Sequence, residues 1–313
     1  YDIAAINRAI EIAKENKDED PIFYILACRI GPFIHGIKKK IQEIGGTLLV
    51  NPDGHEWLRA KWSAPVRRYW KISEGLMVKH ADLLVCDSKN IEKYIQEDYK
   101  QYQPKAAYIA YGTDTTRSVL KNREKKVRSW FKEKNVSENE YYLVVGRFVP
   151  ENNYESMIRG FLASNSKKDF VLITNVEQNK FYNQLLAKTG FDKDPRVKFV
   201  GTVYEQELLK YIRENAFAYF HGHEVGGTNP SLLEALASTK LNLLLDVGFN
   251  REVAEDGAIY WKKDNLHEII EKKKKKTQKE IDEKDILSIK QVTERFSWEL
   301  IVNEYEKLFL CEK

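Results

Sequence analysis

The chain has 313 residues, of which 42% are hydrophobic and 31% are charged, and its formal net charge is +4. Such a length is too great for one ordinary core and suits two domains. The small positive charge falls far short of the basic bias of a dedicated nucleic-acid-binding protein, although it suits an anionic substrate or an anionic membrane surface.

Three cysteines, Cys28, Cys86 and Cys311, are odd in number and widely spaced along the chain. We predict that they are reduced core residues of a cytoplasmic protein. No run approaches the roughly 18 apolar residues of a membrane-spanning helix, and no signal peptide is visible. The chain opens without Met inside a helical pattern, so we expect that amino-terminal sequence is missing.

Strands and helices alternate along the first part of the sequence. After a helical pattern at 1–16, the predicted strands are 21–28, 47–51, 81–88 and 106–112, and the predicted helices are 31–46, 63–80 and 89–99. The connections between them are short. This alternation indicates an α/β domain with a parallel sheet.

Residues 114–139 interrupt the alternation, because they are mostly polar and charged. We interpret them as a linker followed by a solvated helix. A second α/β series follows, with predicted strands at 141–147, 169–175, 196–201, 216–222 and 241–247 and helices between them. The sequence therefore predicts two α/β domains, 1–138 and 139–295, and a C-terminal helix at 296–313 that packs back toward the first domain.

The segment 221–236, HGHEVGGTNPSLLEAL, joins a predicted strand to a predicted helix through a loop with two glycines. In α/β proteins such loops bind phosphate, because glycines let the backbone approach the anion and the first N–H groups of the helix point at it. Thr228 or Asn229 would cap the helix, and Pro230 suits its first turn. Glu234 lies about one turn into the helix, where it reaches hydroxyls of a ribose beside a pyrophosphate. The alternative is a simple turn followed by a surface glutamate.

A second motif, VVGRFVPENNYESMIRGF at 144–161, ends a hydrophobic strand in Gly146 and Arg147 and begins a helix near Asn153. An arginine at the carboxyl edge of a strand points into the crevice where α/β sheets bind ligands. A guanidinium there is a natural partner of a pyrophosphate. The alternative is a surface arginine held in an ion pair.

These two motifs, in this order, resemble the carboxyl-terminal domain of family-4 glycosyltransferases of the GT-B fold. Within that family, their residues are more similar to those of a bacterial rhamnosyltransferase subgroup. The subgroup acts in streptococcal-type capsule and cell-wall rhamnose polysaccharide assembly. The front half resembles the same subgroup, since NPDGHEWLRAKW at 51–62 is similar to its acceptor-domain segment HGLDW-x-RAKW. The resemblance covers nearly the whole chain and implies two Rossmann-like α/β domains that face a cleft.

Three positions depart from the pattern of the family. Gly226 stands where the family has the first Glu of its Glu-x7-Glu motif, and Glu224 is the candidate substitute. Asn152 replaces the family's Lys, which removes one positive partner of the pyrophosphate. Arg147 and the loop backbone must therefore supply more of its binding. Asp53 replaces the family's His, with His55 two residues later.

The resemblance implies transfer of a rhamnosyl group from TDP-L-rhamnose to a lipid-pyrophosphate-linked sugar, with retention at the anomeric carbon. It implies that Glu234 binds the ribose and that Asp53 and His55 lie beside the acceptor. The expected pyrophosphate contacts are Arg147, Gly226, Gly227, Thr228 and Asn229, and the expected base contacts are Thr202, Val203 and Tyr204. The candidate catalytic residues are Asp53, His55, Arg147 and Glu224, and we expect neither a metal ion nor a cofactor.

Alternatives remain for the donor and for the role of the chain. A UDP- or GDP-sugar is a second class of donor, and a non-catalytic partner that binds sugar nucleotides or polysaccharide is a second class of protein. His221 and His223 either contact the donor or line the crevice, since no third metal ligand clusters with them. The D-x-D triplets at 18–20 and 192–194 follow predicted helices rather than strands.

The stretch EWLRAKWSAPVRRYWK at 56–71 interleaves aromatic and basic residues. It fits half-buried aromatics with solvated cations, an anionic membrane carrying the acceptor, or single-stranded nucleic acid. The run EKKKKK at 271–276 indicates a solvated helix face, with a polybasic membrane patch as the alternative. We predict a peripheral contact with the inner face of the cell membrane and no nucleic-acid partner.

Overall fold

The computed structural model describes residues 1–273 and 278–310. Cys311 and the lysines at 274–276 therefore lie outside the described residues. The chain forms two compact units. The first comprises Tyr1–Tyr111, Val225–Thr228 and the described residues from Ile301 onward, and the second comprises Gly112–Glu224 and Asn229–Leu300.

The first unit is built on a four-stranded parallel sheet with the order β1-β2-β3-β4. Its strands are Ile22–Leu26 (β1), Thr47–Asn51 (β2), Leu83–Cys86 (β3) and Ala106–Tyr108 (β4), and its helices are Asp2–Asn16 (α1), Gly31–Gln42 (α2), Ala64–His80 (α3) and Lys89–Asp98 (α4). Ile34 and Ile41 of α2 pack on Leu48 and Val50 of β2 in one buried core. The predicted strands and helices of this part are confirmed.

The second unit contains a six-stranded parallel sheet with the order β10-β9-β8-β5-β6-β7. Its strands are Tyr141–Val145 (β5), Asp169–Ile173 (β6), Val197–Gly201 (β7), Ala218–His221 (β8), Asn242–Leu245 (β9) and Ile259–Trp261 (β10). Tyr142 and Phe220 point into one core, and Leu143 and Tyr219 point into a core on the other face. Both faces are covered, which explains why the predicted strands are continuous apolar runs.

The helices of the second unit include several that the sequence did not predict. They are Lys125–Glu133 (α5), Tyr154–Leu162 (α6), Lys180–Thr189 (α7), Gln206–Glu214 (α8), Pro230–Ser238 (α9), Gly248–Ala254 (α10), Leu266–Lys273 (α11), Gln278–Arg295 (α12) and Trp298–Leu310 (α13). Strand β10 and helix α10 are additions to the prediction, whereas residues 271–273 of the predicted helix face end α11. Helix α13 begins in the second unit, and from Ile301 onward it belongs to the first, where the Tyr305 hydroxyl is 3.1 Å from that of Tyr24.

The segment 114–139 is not the linker and solvated helix that we predicted. Val127, Trp130 and Phe131 of α5 are buried in the core of the second unit. They occupy positions i, i+3 and i+4 of the helix, so a narrow apolar stripe among many charges is enough to anchor it. The second unit therefore begins at Gly112 rather than near residue 138.

Candidate active site

A cavity lies where the strand order of the large sheet reverses. From β5 the chain moves outward through β6 and β7, returns to β8 beside β5, and moves outward on the other side. Open α/β sheets bind ligands at the carboxyl ends of the strands at such a point. The cavity has a volume of about 230 Å³, and its polar lining residues include Arg147, Asn152, His221, His223, Asn229 and Ser231.

The amino terminus of α9 opens onto this cavity. Asn229 caps the helix, because its Oδ1 accepts a hydrogen bond of 3.0 Å from the backbone N–H of Ser231. Pro230 occupies the first helical position, as predicted. The Ser231 hydroxyl donates to the carbonyl of Val145 at 3.0 Å, which ties the helix start to the end of β5. The N–H groups of Ser231, Leu232 and Leu233 are all bonded to Asn229, so it is the positive end of the α9 dipole that makes this end suitable for an anion.

Arg147 supplies a positive charge to the same cavity. It is the second residue after β5 and its side chain is exposed. Among residues 1–273 and 278–310, no carboxylate forms an ion pair with Arg147, so the alternative of a paired surface arginine is wrong. An exposed guanidinium beside a helix amino terminus can bind a diphosphate with no competing internal partner.

Asn152 connects Arg147 to His223. Its Nδ2 donates to the backbone carbonyl of Arg147 at 2.7 Å, and its Oδ1 is 2.7 Å from Nδ1 of His223. Since an amide oxygen only accepts hydrogen bonds, Nδ1 of His223 carries the proton. In the neutral imidazole Nε2 is then the acceptor, so Asn152 determines the tautomer of His223.

Gly222 lets the end of β8 approach the loop that carries Asn152. A Cβ atom at this position would lie 2.4 Å from the backbone oxygen of Asn152. The neighbouring Asn153 donates from Nδ2 to the carbonyl of Gly222 at 2.8 Å. The loop after β5 and the end of β8 thus form one rigid wall of the cavity.

His221 is a buried, neutral imidazole on this wall. Burial, with a smaller contribution from His223, lowers the pKa of His221 to about 3. Its Nε2 has no hydrogen-bond partner among the residues that the structure describes. The His223 ring lies 6.2 Å away between centroids.

A second cavity, of about 350 Å³, lies beside the first, and Pro230 lines both. Glu234 lines the second cavity, and its Oε2 is 2.5 Å from Nη2 of Arg213 on α8. The Arg213 side chain is 2% exposed, whereas that of Glu234 is 39% exposed. Lys210 of α8 also lines this cavity and pairs with Asp114 at 2.7 Å.

The predicted phosphate loop is divided between the two units. Gly226, Gly227 and Thr228 pack in the first unit and do not line the cavity beside Arg147, whereas Asn229 does. Thr228 donates a hydrogen bond to the backbone carbonyl of Asp87. Gly226 has a φ of 118°, and a Cβ atom on Gly227 would collide with the Asp87 carboxylate. Both glycines are therefore required by the path of the backbone.

Asp53 and His55 follow strand β2 in the first unit, and both have left-handed backbones with φ near 55°. Oδ2 of Asp53 is 3.5 Å from Nη2 of Arg59, which also pairs with Glu56. The His55 ring lies 4.0 Å from that of Tyr94, and burial lowers the pKa of His55. The structure therefore keeps both side chains at one sheet edge, with His55 half-buried.

Glu224 and the turn after β7 occupy neither cavity. Glu224 forms an ion pair of 2.5 Å with Lys263, and its backbone N–H donates to the carbonyl of Glu151 at 3.1 Å. Tyr204 is 83% exposed, and Thr202 and Val203 precede it in the same turn. The predicted roles of these four residues stay predictions.

Sequence reasoning missed two side chains that shape the sites. Arg213 shares the inner face of α8 with Leu209 and Ile212, and a charge at such a position requires a buried partner. Glu74 of α3 is 2% exposed and accepts hydrogen bonds from the hydroxyls of Tyr94 and Tyr99. Helical spacing was the signal in the first case, because Arg213 falls on an apolar stripe.

Metal sites and membrane-spanning helices are two further features to consider. No group of three or more His, Cys, Asp or Glu residues suited to a metal ion occurs within 1–273 and 278–310. None of the described helices combines the length and apolarity that crossing a membrane requires.

Two sequence families match the chain. Residues 1–114 match a domain of unknown function, DUF1972, and residues 126–285 match the glycosyl transferases group 1. No curated protein matches the chain in sequence.

Solved glycosyltransferase structures share the fold. The α,α-trehalose-phosphate synthase (UDP-forming) of Burkholderia xenovorans has a TM-score of 0.75 at 13% identity, over 97% of this chain and 76% of that one. Anabaena HepE, in complex with UDP-glucose, has a TM-score of 0.73 at 15% identity, over 98% and 82%. Sucrose-phosphate synthase of Thermosynechococcus elongatus has a TM-score of 0.75 at 15% identity, over 97% and 77%.

The predicted α/β architecture of two parallel sheets is confirmed, and it is that of GT-B glycosyltransferases. The group 1 match spans 126–285, which is more than half of the chain. It includes β5, α8, β8 and α9, which carry lining residues of the two cavities. The chain therefore belongs to the group 1 glycosyltransferases, with the GT-B fold.

Proposed function

We propose that the second unit binds a nucleotide-sugar donor across its two cavities. The diphosphate lies against Arg147 and the amino terminus of α9, and Glu234 binds a hydroxyl of the nucleoside sugar. The observation that carries the proposal is that Pro230 lines both cavities, with an anion site on one side and a carboxylate on the other. A nucleoside diphosphate has the same order of groups.

The chemistry that these residues support is departure of the diphosphate. Negative charge grows on the leaving oxygen as the anomeric C–O bond breaks. Arg147 and the positive end of the α9 dipole stabilise that charge without reorganising. In a retaining reaction the oxygen of the acceptor hydroxyl bonds to the anomeric carbon on the face that the diphosphate leaves. The leaving phosphate oxygen takes the proton of that hydroxyl, so no strong general base is needed.

We assign TDP-L-rhamnose as the donor on the strength of the sequence resemblance of the segments at 51–62, 145–155 and 223–239. A UDP-sugar is the alternative, because HepE is in complex with UDP-glucose and the trehalose-phosphate synthase is UDP-forming. A non-catalytic sugar-nucleotide-binding partner is the other alternative. It is favoured by Glu224, whose carboxylate is paired with Lys263.

The proposed acceptor is a lipid-pyrophosphate-linked sugar at the inner face of the membrane, with Asp53 and His55 beside it. An apolar surface supports membrane contact. Phe33 and Ile72 are 54% and 53% exposed, on helices that touch where Gly31 meets Ser73. The basic side chain of Arg68 is exposed on the same helix as Ile72. Apolar and basic side chains together favour an anionic interface.

The experiment is nucleotide release from TDP-, UDP- and GDP-sugars, with a lipid-pyrophosphate-GlcNAc mimic as acceptor. We expect release from TDP-rhamnose that depends on the mimic. Arg147→Ala should reduce turnover about 100-fold, since it removes a donor to the developing charge. Arg159→Ala is the matched control, because Arg159 pairs with Glu155 on the surface of α6.

Each outcome has one interpretation. Release from a UDP- or GDP-sugar alone would retain donor binding and overturn the rhamnosyl assignment. Tight nucleotide binding without release from any donor would favour the non-catalytic role. Full turnover in Arg147→Ala would contradict the charge-stabilisation mechanism.

A further inference from the structure

Arg213 occupies one oxygen of Glu234. The Arg213 side chain is 2% exposed, and its Nη2 is 2.5 Å from Oε2 of Glu234. Within the part of the chain that the structure describes, no second carboxylate pairs with Arg213, and its Nε has no hydrogen-bond partner. Because a buried guanidinium requires a counter-charge, Oε2 is retained by Arg213.

The other oxygen of Glu234 is the one available to a ligand. The Glu234 side chain is 39% exposed and lines the second cavity. Among the described residues, no group forms a hydrogen bond or ion pair with Oε1. Glu234 therefore has one oxygen, Oε1, that can accept a hydrogen bond from a ligand in the second cavity.

A carboxylate binds the adjacent hydroxyls of a ribose best with one oxygen for each hydroxyl. The ion pair with Arg213 holds Oε2 on the guanidinium, which disfavours this two-oxygen mode and leaves Oε1 for a hydroxyl. We propose that Glu234 recognises a single hydroxyl of the nucleoside, and that the site therefore accepts 2′-deoxyribonucleoside diphosphates as well as ribonucleoside diphosphates. This inference rests on the proposed function and defines the donor class, which includes thymidine diphosphate sugars.

The test compares nucleotides that differ only in the 2′-hydroxyl. Calorimetric Kd values are measured for thymidine diphosphate against 5-methyluridine diphosphate, which is its ribose counterpart, for UDP against 2′-deoxyuridine diphosphate, and for GDP against 2′-deoxyguanosine diphosphate. For the wild-type chain we expect each pair to agree within about threefold, since no charge-assisted hydrogen bond to the 2′-hydroxyl is lost. Glu234→Gln should weaken both members of a pair equally, by about tenfold.

A variant that frees Oε2 gives the converse result. Arg213→Met removes the buried charge at similar length, and we expect a preference for the ribonucleotide of about tenfold to appear. Lys210→Met is the matched control, since Lys210 lies one turn earlier on α8, lines the same cavity and pairs with Asp114 instead. It should leave the two members of each pair equal.

The wild-type comparison decides the matter even if Arg213→Met does not fold. A wild-type preference of tenfold or more for the ribonucleotide would overturn the inference and leave the proposed function standing. Unchanged binding of both members in Glu234→Gln would overturn it as well, because Glu234 would not contact the sugar. If none of the nucleotides binds, the proposed function and this inference are both overturned.

Discussion

Besides its proposed contact with the donor, Glu234 contributes to stability, because it neutralises the buried Arg213. We expect Glu234→Ala to lower the free energy of unfolding by about 3 kcal/mol, since it leaves a buried guanidinium without its partner. Urea denaturation measures the change. Loss of activity in this variant is therefore not evidence of catalysis by itself.

The matched control for that substitution is Glu155→Ala, which breaks ion pairs with the exposed Arg159 and Lys188. It should cost less than about 1 kcal/mol, as exposed pairs do. The double substitution Glu234→Ala with Arg213→Met should recover much of the lost stability. If the double variant is as unstable as the sum of the two single variants, the pair is not coupled.

His221 makes the stability of the second unit depend on pH. Its folded pKa of about 3 lies below the ordinary value of 6.5, so the unfolded chain binds the proton more readily. Stability therefore falls as pH decreases from 6.5 toward 3. Between pH 7 and pH 5 we expect a loss of about 2 kcal/mol from this group.

Denaturation of His221→Asn at the two pH values checks this prediction. The variant should lose about 2 kcal/mol less than the wild type over the same interval. His35→Asn is the control, since His35 is exposed on α2 and should behave as the wild type. Equal losses in wild type and His221→Asn would show that His221 is not the responsible group.

At the scale of elements, the wall formed by β8 and the loop after β5 depends on Gly222. Gly222→Ala places a methyl group against the carbonyl of Asn152, which must move and carry the His223 contact with it. We expect a loss of about 1–3 kcal/mol in stability and weaker nucleotide binding. Gly36→Ala on α2 is the control, because a Cβ there meets nothing within 4 Å.

The control variant should be slightly more stable than the wild type, since alanine favours helix over glycine by about 1 kcal/mol. Chemical denaturation and calorimetry on both variants decide the point. Wild-type nucleotide affinity in Gly222→Ala would mean that the wall does not shape the site.

The surface of α2 and α3 makes a separate prediction about the acceptor side. Phe33→Ser and Ile72→Ser should each weaken sedimentation with vesicles of anionic lipid, because each removes apolar area from the interface. Tyr102→Ser serves as the control, as Tyr102 is 40% exposed beyond the end of α4. Equal binding by all three variants would place the membrane contact elsewhere.

At the scale of the whole molecule, local sequence patterns predicted the strands and helices better than they predicted the packing between elements. Apolar runs with short connections predicted both sheets, and the Asn229-Pro230 pair predicted the start of α9. The stripe of Val127, Trp130 and Phe131 was hidden because charged residues fill the rest of α5. The composition averaged over that segment therefore indicated a solvated helix, although the packing of these three side chains buries one face of α5.

The candidate site could be predicted only in part, for a physical reason. Arg147 and Glu234 follow from strand and helix ends, which spacing reveals. The partners that orient the site do not, because Asn152 and His223 are 71 positions apart and Arg213 reaches Glu234 from another helix. Such pairs exist only after the sheet has assembled.

The reversal of strand order between β5 and β8 also determines when the donor site arises during synthesis. Residues 146–217, which include two strands and three helices, leave the ribosome before β8 can take its place beside β5. During that interval β5 presents an open edge, and an open edge pairs readily with other chains. A nascent chain arrested before Ala218 is thus expected to need a chaperone, and the donor site is among the last features of the second unit to form.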